Sequence, residues 1–291
     1  MVVAILFLAG LMVLQLLVAS IPAMQALGWH FLVGMDWDPV HEHFGALPFI
    51  YGTLASSLLA LILAAPLGIG VAIFLAELAP PWFRAPVSFM VELLAAIPSV
   101  VYGVWGLFVM APWLRNMVQP WLSEHLGFLP FFQGPGFGVG ILAAGLILAI
   151  MVVPTITAVS RDVLMAVPNH QREAMLALGA TKWETTWKAV IPYGRSGIVG
   201  AIILALGRAL GETMAATMVI GNSLDISISL FAPANTMASI IANSYAEATY
   251  GLHAAALIEI ALILFVITLI LNIVARLLVR RVAIGPVRME A

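Results

Sequence analysis

Six long apolar stretches limit what this chain can fold into. A helix needs about 20 mostly apolar residues to cross a bilayer. Six segments meet that condition, at approximately 2–27, 49–78, 87–111, 137–159, 198–220 and 252–279. Charged residues make up 9% of the chain, whereas a soluble protein carries about a quarter. The sequence therefore predicts an all-α membrane protein with six transmembrane helices in a single domain, residues 1–291. The first segment is expected to remain as an anchor helix, because no basic stretch precedes it as in a signal peptide.

Basic residues fall on one side of the membrane in this arrangement. Ten of them lie between spans two and three, between spans four and five, or at and beyond the end of span six: Arg84, Arg161, Arg172, Lys182, Lys188, Arg195, Arg276, Arg280, Arg281 and Arg288. The loops on the other side carry Arg115. Cytoplasmic loops hold the excess of Lys and Arg, so both termini are predicted to be cytoplasmic.

The segment 161–195 is the one substantial cytoplasmic loop, and its first part predicts a short helix. Asn169 is a good N-cap, the sequence "HQREAMLAL" contains strong helix formers, and Gly179 stands where a helix usually ends. The small apolar face of this helix consists of Ala174, Met175, Ala177 and Leu178. A helix of this length is marginal alone. It is expected either to dock on a cytoplasmic partner or to lie on the lipid surface.

A second helix is predicted directly after that glycine. Thr181 and Glu184 have the spacing of a capping box. Pro192 and Gly194 are expected to break this helix before span five, because proline lacks an N–H donor. The loop is thus predicted as helix, glycine turn and helix.

Arg208 and Glu212 stand inside the fifth apolar stretch, in "GRALGETM". A charge at the centre of a bilayer costs about 3 kcal/mol on insertion scales. The two residues are four apart, which places them on one helix face. One interpretation is a mutually neutralising structural pair. The other is that Arg208 faces a translocation pathway and binds an oxyanion bidentately, with Glu212 tuning it and Thr213 adding a hydroxyl.

Pro98 interrupts the third apolar stretch, in "AIPSVVYG". Proline inside a helix frees backbone carbonyls and kinks it. Ser99 and Tyr102 are then expected either to line the interior or to satisfy the freed carbonyls.

Three further acidic residues lie within or beside the spans. Glu77 and Glu92 fall near the cytoplasmic ends of spans two and three, where Arg84 or Arg161 could pair with them. Glu259 lies within span six, and the sequence offers it no obvious partner.

Catalytic motifs do not occur in the sequence. The stretch "LGATKWETT" lacks the spacing of an ATP-binding P-loop, and cysteine is absent. One outer loop contains His30, His41 and His43. We interpret them as solvated histidines rather than as a metal site. We therefore expect a chain that is not itself an enzyme and holds no cofactor.

The loop sequence "EAMLALGATKWETTWKAVIP" resembles the EAA motif of ABC-importer permeases. Glu173, Ala174, Gly179 and Pro192 fall in register with that motif, and Met175 replaces its second alanine. The resemblance implies that this short helix fits a cleft in an ATPase subunit. The implied coupling residues are Glu173, Ala174, Met175, Leu178, Gly179 and Pro192.

Other stretches, among them "ELLAAIPSVVYGVWG" and "LGRALGETMAATMVIGN", are similar to the C-type permeases of phosphate importers. The resemblance implies a type I ABC-importer permease (MetI-like) fold in a bacterial inner membrane. It also implies a second, homologous permease, a dimer of ATPase subunits that binds ATP and Mg, and a periplasmic phosphate-binding protein. Permeases for molybdate or sulfate remain an alternative, and so does a stand-alone channel or ion-coupled carrier. A carrier would favour inverted repeats, which the sequence does not show.

Overall fold

A computed structural model describes the backbone of residues 2–248 and 251–283. Residues 284–291, and with them Arg288, lie outside this described part. In chain order the α-helices are α1 Val2–Leu27, α2 His30–Val33, α3 Leu47–Ile73, α4 Pro81–Ala96, α5 Ser99–Trp105, α6 Ala111–Trp113, α7 Gln119–Leu126, α8 Ile141–Met165, α9 Asn169–Ala177, α10 Lys182–Thr185, α11 Ile191–Leu210, α12 Met214–Val219, α13 Met237–Ser244 and α14 Leu252–Ala283.

Short π-helical turns continue several of these helices. They are Phe74–Leu78 after α3, Gly106–Met110 and Leu114–Val118 around α6, and Thr186–Val190 after α10. A single 3-10 turn, Pro130–Phe132, follows α7, and a two-stranded antiparallel ribbon pairs β1 Trp37–Asp38 with β2 His43–Phe44. Most of the described residues lie in α-helices, and the strands contain two residues each. The all-α prediction is therefore confirmed.

Five helical stretches of the described chain are long and apolar enough to cross a membrane. They are Ala4–Leu27, Leu47–Leu78, Ile141–Met165, Lys182–Leu210 and Leu252–Leu277. The pair Pro81–Ala96 and Ser99–Leu126 makes a sixth when it is counted as one interrupted span. Many large apolar side chains of α1 are exposed, including Leu6 and Phe7, as expected of a helix that meets lipid.

The third predicted span is interrupted at Pro98. Ile97 and Pro98 both have extended backbone conformations, with ψ angles of 128° and 140°. The residue before a proline avoids the helical region because the proline ring crowds its backbone. The expected kink at Pro98 is therefore a complete break between α4 and α5.

The predicted boundaries of the fifth span, 198–220, are wrong at both ends. Lys182–Leu210 forms one continuous helical stretch, and Pro192 and Gly194 do not break it. The π turn Thr186–Val190 absorbs the proline, because the Ile191 N–H reaches back to the Thr186 carbonyl and such adjustments satisfy backbone groups near a proline. The helix ends at Leu210, and a separate helix, α12, begins at Met214.

Unit 1 is the first of two compact units, and it comprises Met1–Leu59, Pro98–Leu148 and Leu210–Leu269. Its core includes the buried side chains of Phe31, Phe49 and Met237. Gly52 of α3 lies so close to the backbone of Asn235 that an added Cβ would stand 2.0 Å from the Asn235 oxygen. The absence of a side chain at Gly52 is thus a condition of this packing.

Unit 2 comprises Ala60–Ile97, Ala149–Ala209 and Ile270–Ala291. Its core joins the ends of three helical stretches through Ala76, Leu164 and Val190. Gly197 of α11 meets Val163 of α8, where an added Cβ would lie 2.5 Å from the valine side chain. Gly197 therefore serves close helix packing rather than helix termination.

Candidate functional site

Arg208 lies in the last turn of α11, within unit 2, and its side chain opens onto a pocket of about 370 Å³. The pocket is lined by Thr155, Ile203, Leu204, Gly207, Arg208 and Asn272. The guanidinium Nη1 donates a hydrogen bond to Thr155 Oγ1 over 3.4 Å. Since a guanidinium has five N–H donors in a fixed fork, this bond leaves further donors for an anion within the pocket.

Thr155 and Asn272 are pocket residues that the sequence did not reveal. Thr155 stands in the middle of α8, directly after Pro154, and Asn272 lies on α14. Isolated threonine and asparagine residues in apolar helices carry no spacing pattern. Their position beside Arg208 in the fold is what marks them as candidate site residues. A hydroxyl and an amide next to a cation are polar groups suited to an oxyanion.

Glu212 does not share a helix with Arg208, because α11 ends at Leu210. The prediction that the two residues occupy one helix face is therefore wrong. Glu212 belongs to unit 1, where its Oε1 accepts a hydrogen bond from the Ala215 N–H over 3.3 Å at the start of α12. A carboxylate in that position satisfies a free N–H group and favours the helix dipole.

Thr213, Ser99 and Tyr102 also belong to unit 1. Thr213 precedes α12, and its carbonyl accepts a hydrogen bond of 2.7 Å from the Thr217 hydroxyl. Ser99 begins α5, and Tyr102 is buried one turn later. Near them α5 packs against α12, since an added Cβ at Gly103 would lie 3.1 Å from the Ala215 Cα. These three predicted pathway residues thus lie on or beside the packed helices α5 and α12 of unit 1.

The loop 161–195 has the predicted order of helix, glycine turn and helix. Helix α9 spans Asn169–Ala177, so Asn169 is its first residue and Pro168, with an extended backbone, is the N-cap in its place. Gly179 has a positive φ, at 82°, as is common for a glycine that ends a helix. The capping box is confirmed as well: the Thr181 side chain accepts from the Glu184 N–H, and the Glu184 carboxylate accepts from the Thr181 N–H.

Helix α9 exposes most of the residues that were predicted to couple to an ATPase. No residue of α9 is buried, and Glu173, Ala174 and Gly179 are exposed while Met175 is partly covered. Leu178 is 84% exposed, and Pro192, further along, is exposed too. Leu176, Leu178, Trp183 and Trp187 are exposed large apolar side chains on α9 and the helix that follows it, here called the exposed apolar patch. Exposed apolar surface of this kind can mark an interaction site.

Ion pairs in unit 2 account for two of the acidic residues. Glu92 pairs with Arg161 over 3.4 Å, as the sequence allowed. Glu77 pairs with Arg172 over 2.7 Å, whereas Arg84 instead donates to the Ala76 carbonyl over 3.0 Å. In unit 1, Glu259 is 5% exposed, and within the described chain its Oε2 has no hydrogen-bond partner.

His41, in the turn between β1 and β2, contacts a neighbouring carboxylate. Its Nδ1 lies 2.6 Å from Asp38 Oδ2. This hydrogen bond, with those from the backbone N–H groups of Val40 and His41, holds the pKa of the Asp38 carboxyl below its usual value. The loop residues form a closed turn between β1 and β2.

Comparison with known proteins connects this architecture to a family. The model of the family described as "Binding-protein-dependent transport system inner membrane component" matches residues 68–284, which contain α9, Gly179, Arg208 and Glu212. The chain belongs to this family. It is a multi-pass permease subunit of a transport system, and its apolar helices are the membrane-crossing part.

Curated relatives of this permease are similar over nearly its whole length. A protein of Pasteurella multocida (strain Pm70), named "Phosphate transport system permease protein PstC", is 50% identical over 92% of this chain and 85% of its own. A protein of the same name from Mesorhizobium japonicum is 48% identical over 96% of this chain and 87% of its own. A more distant relative, from Methanocaldococcus jannaschii, is 38% identical over 88% of this chain and 82% of its own.

Solved structures of other transporters share the fold of this permease. A chain of the MetNI methionine ABC transporter superposes with a TM-score of 0.60 at 21% identity, over 80% of this chain and 94% of that one. A chain of a bacterial alginate ABC transporter gives a TM-score of 0.64 at 16% identity, over 91% and 88%. The predicted MetI-like fold is therefore confirmed.

Proposed function

We propose that this permease is the C-type transmembrane subunit of an ATP-driven phosphate importer and forms half of its translocation pathway. The observation that carries the proposal is the 48–50% identity, over more than nine tenths of the chain, to proteins named as phosphate transport permeases. The matched region covers 96% and 92% of the chain in these two comparisons, so it includes Arg208 and the loop 161–195.

Three kinds of partner belong to the proposal. A homologous permease completes the pathway, a dimer of ATPase subunits binds ATP and Mg and hydrolyses ATP, and a periplasmic protein delivers phosphate. The chain lies with both termini in the cytoplasm. The support for that orientation is the excess of Lys and Arg on one side of the spans.

Phosphate contacts the Arg208 pocket during passage. A water molecule takes up about 30 Å³ of liquid, so a pocket of about 370 Å³ has room for a five-atom oxyanion. Arg208 supplies the positive charge that compensates dehydration, while Thr155 and Asn272 add a hydroxyl and an amide. The contact must remain weak enough for release, since conduction requires transient binding. Glu212, Thr213, Ser99 and Tyr102 line the pathway within unit 1.

The ATPase docks on the exposed surface of α9. Glu173, Ala174, Met175, Leu178 and Gly179 fit its cleft, and Pro192 lies on the helical stretch that follows. The exposed apolar patch around Leu178 and Trp183 supports this role, because such a surface is unfavourable in water and needs a partner.

An uptake assay with competing oxyanions tests the substrate. The complete complex is assembled in liposomes, and uptake of labelled phosphate is measured with internal ATP and the loaded binding protein outside. Phosphate uptake that excess phosphate suppresses, and excess sulfate or molybdate does not, supports the proposal. Uptake of sulfate or molybdate in place of phosphate would overturn the substrate assignment. Uptake without ATP and without the ATPase would overturn the importer assignment in favour of a carrier.

A further inference from the structure

Arg172, near the start of α9, makes a two-pronged ion pair with Glu77 at the end of α3. Its Nη2 lies 2.7 Å from Glu77 Oε1, and its Nε lies 3.3 Å and 3.2 Å from the two carboxylate oxygens. The side chains are only 19% and 11% exposed. Bidentate, charge-assisted contacts of this kind fix orientation as well as distance. Exposed ion pairs contribute little, but this pair is largely shielded from water.

The same guanidinium also holds the cytoplasmic end of α8. Its Nη2 donates to the Leu164 carbonyl over 2.8 Å, and its Nη1 donates to the Val167 carbonyl. The last carbonyls of a helix have no partner within the helix, and a cation there is favoured by the helix dipole. One side chain therefore joins α9 to both α3 and α8.

Glu77 lies in a turn that hydrogen bonds hold in place. The π turn Phe74–Leu78 is closed by the Ala79 N–H, which donates to the Phe74 carbonyl over 2.7 Å. Arg84 Nη2 donates to the Ala76 carbonyl of the same turn over 3.0 Å. Ala76, Leu164 and Val167 also share one buried apolar cluster. The acceptors of Arg172 thus belong to a rigid end of the transmembrane helices.

We propose that Arg172 is the positioning residue that makes α9 move together with the ends of α3 and α8. Helix α9 buries no residue of its own, and Arg172 supplies its hydrogen bonds to Glu77 and to the end of α8. Displacement of α9 by the ATPase is then passed to α3 through Glu77 and to α8 through its terminal carbonyls. The role rests on the proposed function, because it requires an ATPase that engages α9.

The test measures coupling in the complete complex reconstituted in liposomes. Two rates are recorded for each variant and normalised to assembled complex: phosphate uptake, and ATP hydrolysis with and without the loaded binding protein. For Arg172→Gln we expect uptake per ATP hydrolysed to fall about tenfold, within the usual range of coupling between two sites. A merely structural role would lower the amount of complex and leave this ratio unchanged.

Glu77→Gln removes one partner and leaves Arg172 its two carbonyl acceptors, so we expect a smaller fall in the ratio. The double variant should be no worse than Arg172→Gln, because both changes remove one interaction. Glu92→Gln is the matched control: it breaks an ion pair to Arg161 in the same unit, but the Glu92 side chain is 58% exposed. Its ratio should equal that of the unaltered chain.

A wild-type ratio in Arg172→Gln would overturn the positioning role. If that variant fails to assemble, Glu77→Gln decides, and a wild-type ratio there overturns the role equally. A different result would show that the proposed function is wrong. An unaltered complex whose ATP hydrolysis responds to the binding protein, but which accumulates no phosphate, defeats the substrate assignment. The positioning role is then still judged by the stimulation of hydrolysis.

Discussion

Arg208 of α11 donates a hydrogen bond to Thr155 of α8 over 3.4 Å. The bond joins the one arginine in the middle of the apolar stretch to a hydroxyl on a different helix. This contact uses one guanidinium nitrogen, so other N–H donors of the fork remain for an anion. The proposed contact between Arg208 and phosphate rests on this arrangement.

Replacing Arg208 should remove the positive charge of the pathway. For Arg208→Gln we expect phosphate uptake per assembled complex to fall by at least about tenfold, since hydrogen bonds to charged groups contribute about 1.5–3 kcal/mol. Arg208→Lys keeps the charge but loses the fork, and uptake should be intermediate. Uptake of labelled phosphate in liposomes is the measurement.

Arg195→Gln is the control for that series, because Arg195 lies on the same helix, within its first turns. It should transport normally. The double variant Arg208→Gln, Glu212→Gln separates the two interpretations of the charged residues. Full phosphate uptake by the double variant would assign them a neutralising role only and contradict a pathway role for Arg208.

Thr155→Val should weaken phosphate binding while leaving assembly intact. Valine has nearly the shape of threonine but cannot accept the hydrogen bond from Arg208. Hydrogen bonds between membrane helices contribute about 0.6–1.7 kcal/mol, so we expect KM for uptake to rise about threefold to twentyfold. Thr155→Ser keeps the hydroxyl and should remain near the unaltered value. An unchanged KM in Thr155→Val would remove Thr155 from the site.

Local features of the fold were predictable from the sequence, and the reason is their short range. The capping box of Thr181 and Glu184 and the left-handed Gly179 depend on residues within four positions of one another. The long apolar stretches likewise reveal spans through composition alone. Each of these signals is complete within one segment of the chain.

Interactions between segments were not predictable. Thr155 and Arg208 are 53 residues apart, and Glu77 and Arg172 are 95 apart, so no spacing pattern connects them. The predicted helix break at Pro192 is wrong for another reason. A proline ends a helix only when the backbone cannot adjust, and here a π turn supplies the adjustment.

Accessibility tags test the orientation of the chain. Because the Lys and Arg excess predicts a cytoplasmic side, tags within 167–183 and after Ala291, which lies outside the described residues, should be labelled only after permeabilisation. Tags beside Asp38 and Glu124 should be labelled in intact spheroplasts by an impermeant reagent. A cytoplasmic location for Asp38 would contradict the six-span arrangement.

Gly52→Ala tests the packing of unit 1. The added methyl would stand 2.0 Å from the Asn235 oxygen and 3.0 Å from its carbonyl carbon. Backbone atoms cannot turn aside as a flexible side chain can, so we expect a loss of stability of about 1–3 kcal/mol. Gly70→Ala lies in the same helix with nothing within 4 Å of the added atom. Thermal unfolding in detergent should show a lower Tm for Gly52→Ala alone; equal Tm values would disprove the close approach.

Gly179→Val should uncouple ATP hydrolysis from transport while the chain still inserts into the membrane. The φ of Gly179 is 82°, and a Cβ there would meet no atom within 4 Å. The expected harm is therefore backbone strain, about 1–2 kcal/mol for a left-handed residue and more for a β-branched one. Relief of that strain changes the turn between α9 and α10, so the surface offered to the ATPase changes shape.

Two substitutions separate this effect of backbone conformation from the mere loss of a glycine. Gly179→Asn should couple nearly normally, since asparagine adopts left-handed conformations at low cost. Gly200→Ala, on α11, has open space around the added methyl and no positive φ, so it should leave uptake per ATP hydrolysed unchanged. The ratio should thus fall in the order Gly179→Asn, Gly179→Ala and Gly179→Val, following the strain at one φ angle. Normal coupling by Gly179→Val at normal abundance would show that the shape of this turn does not govern docking of the ATPase.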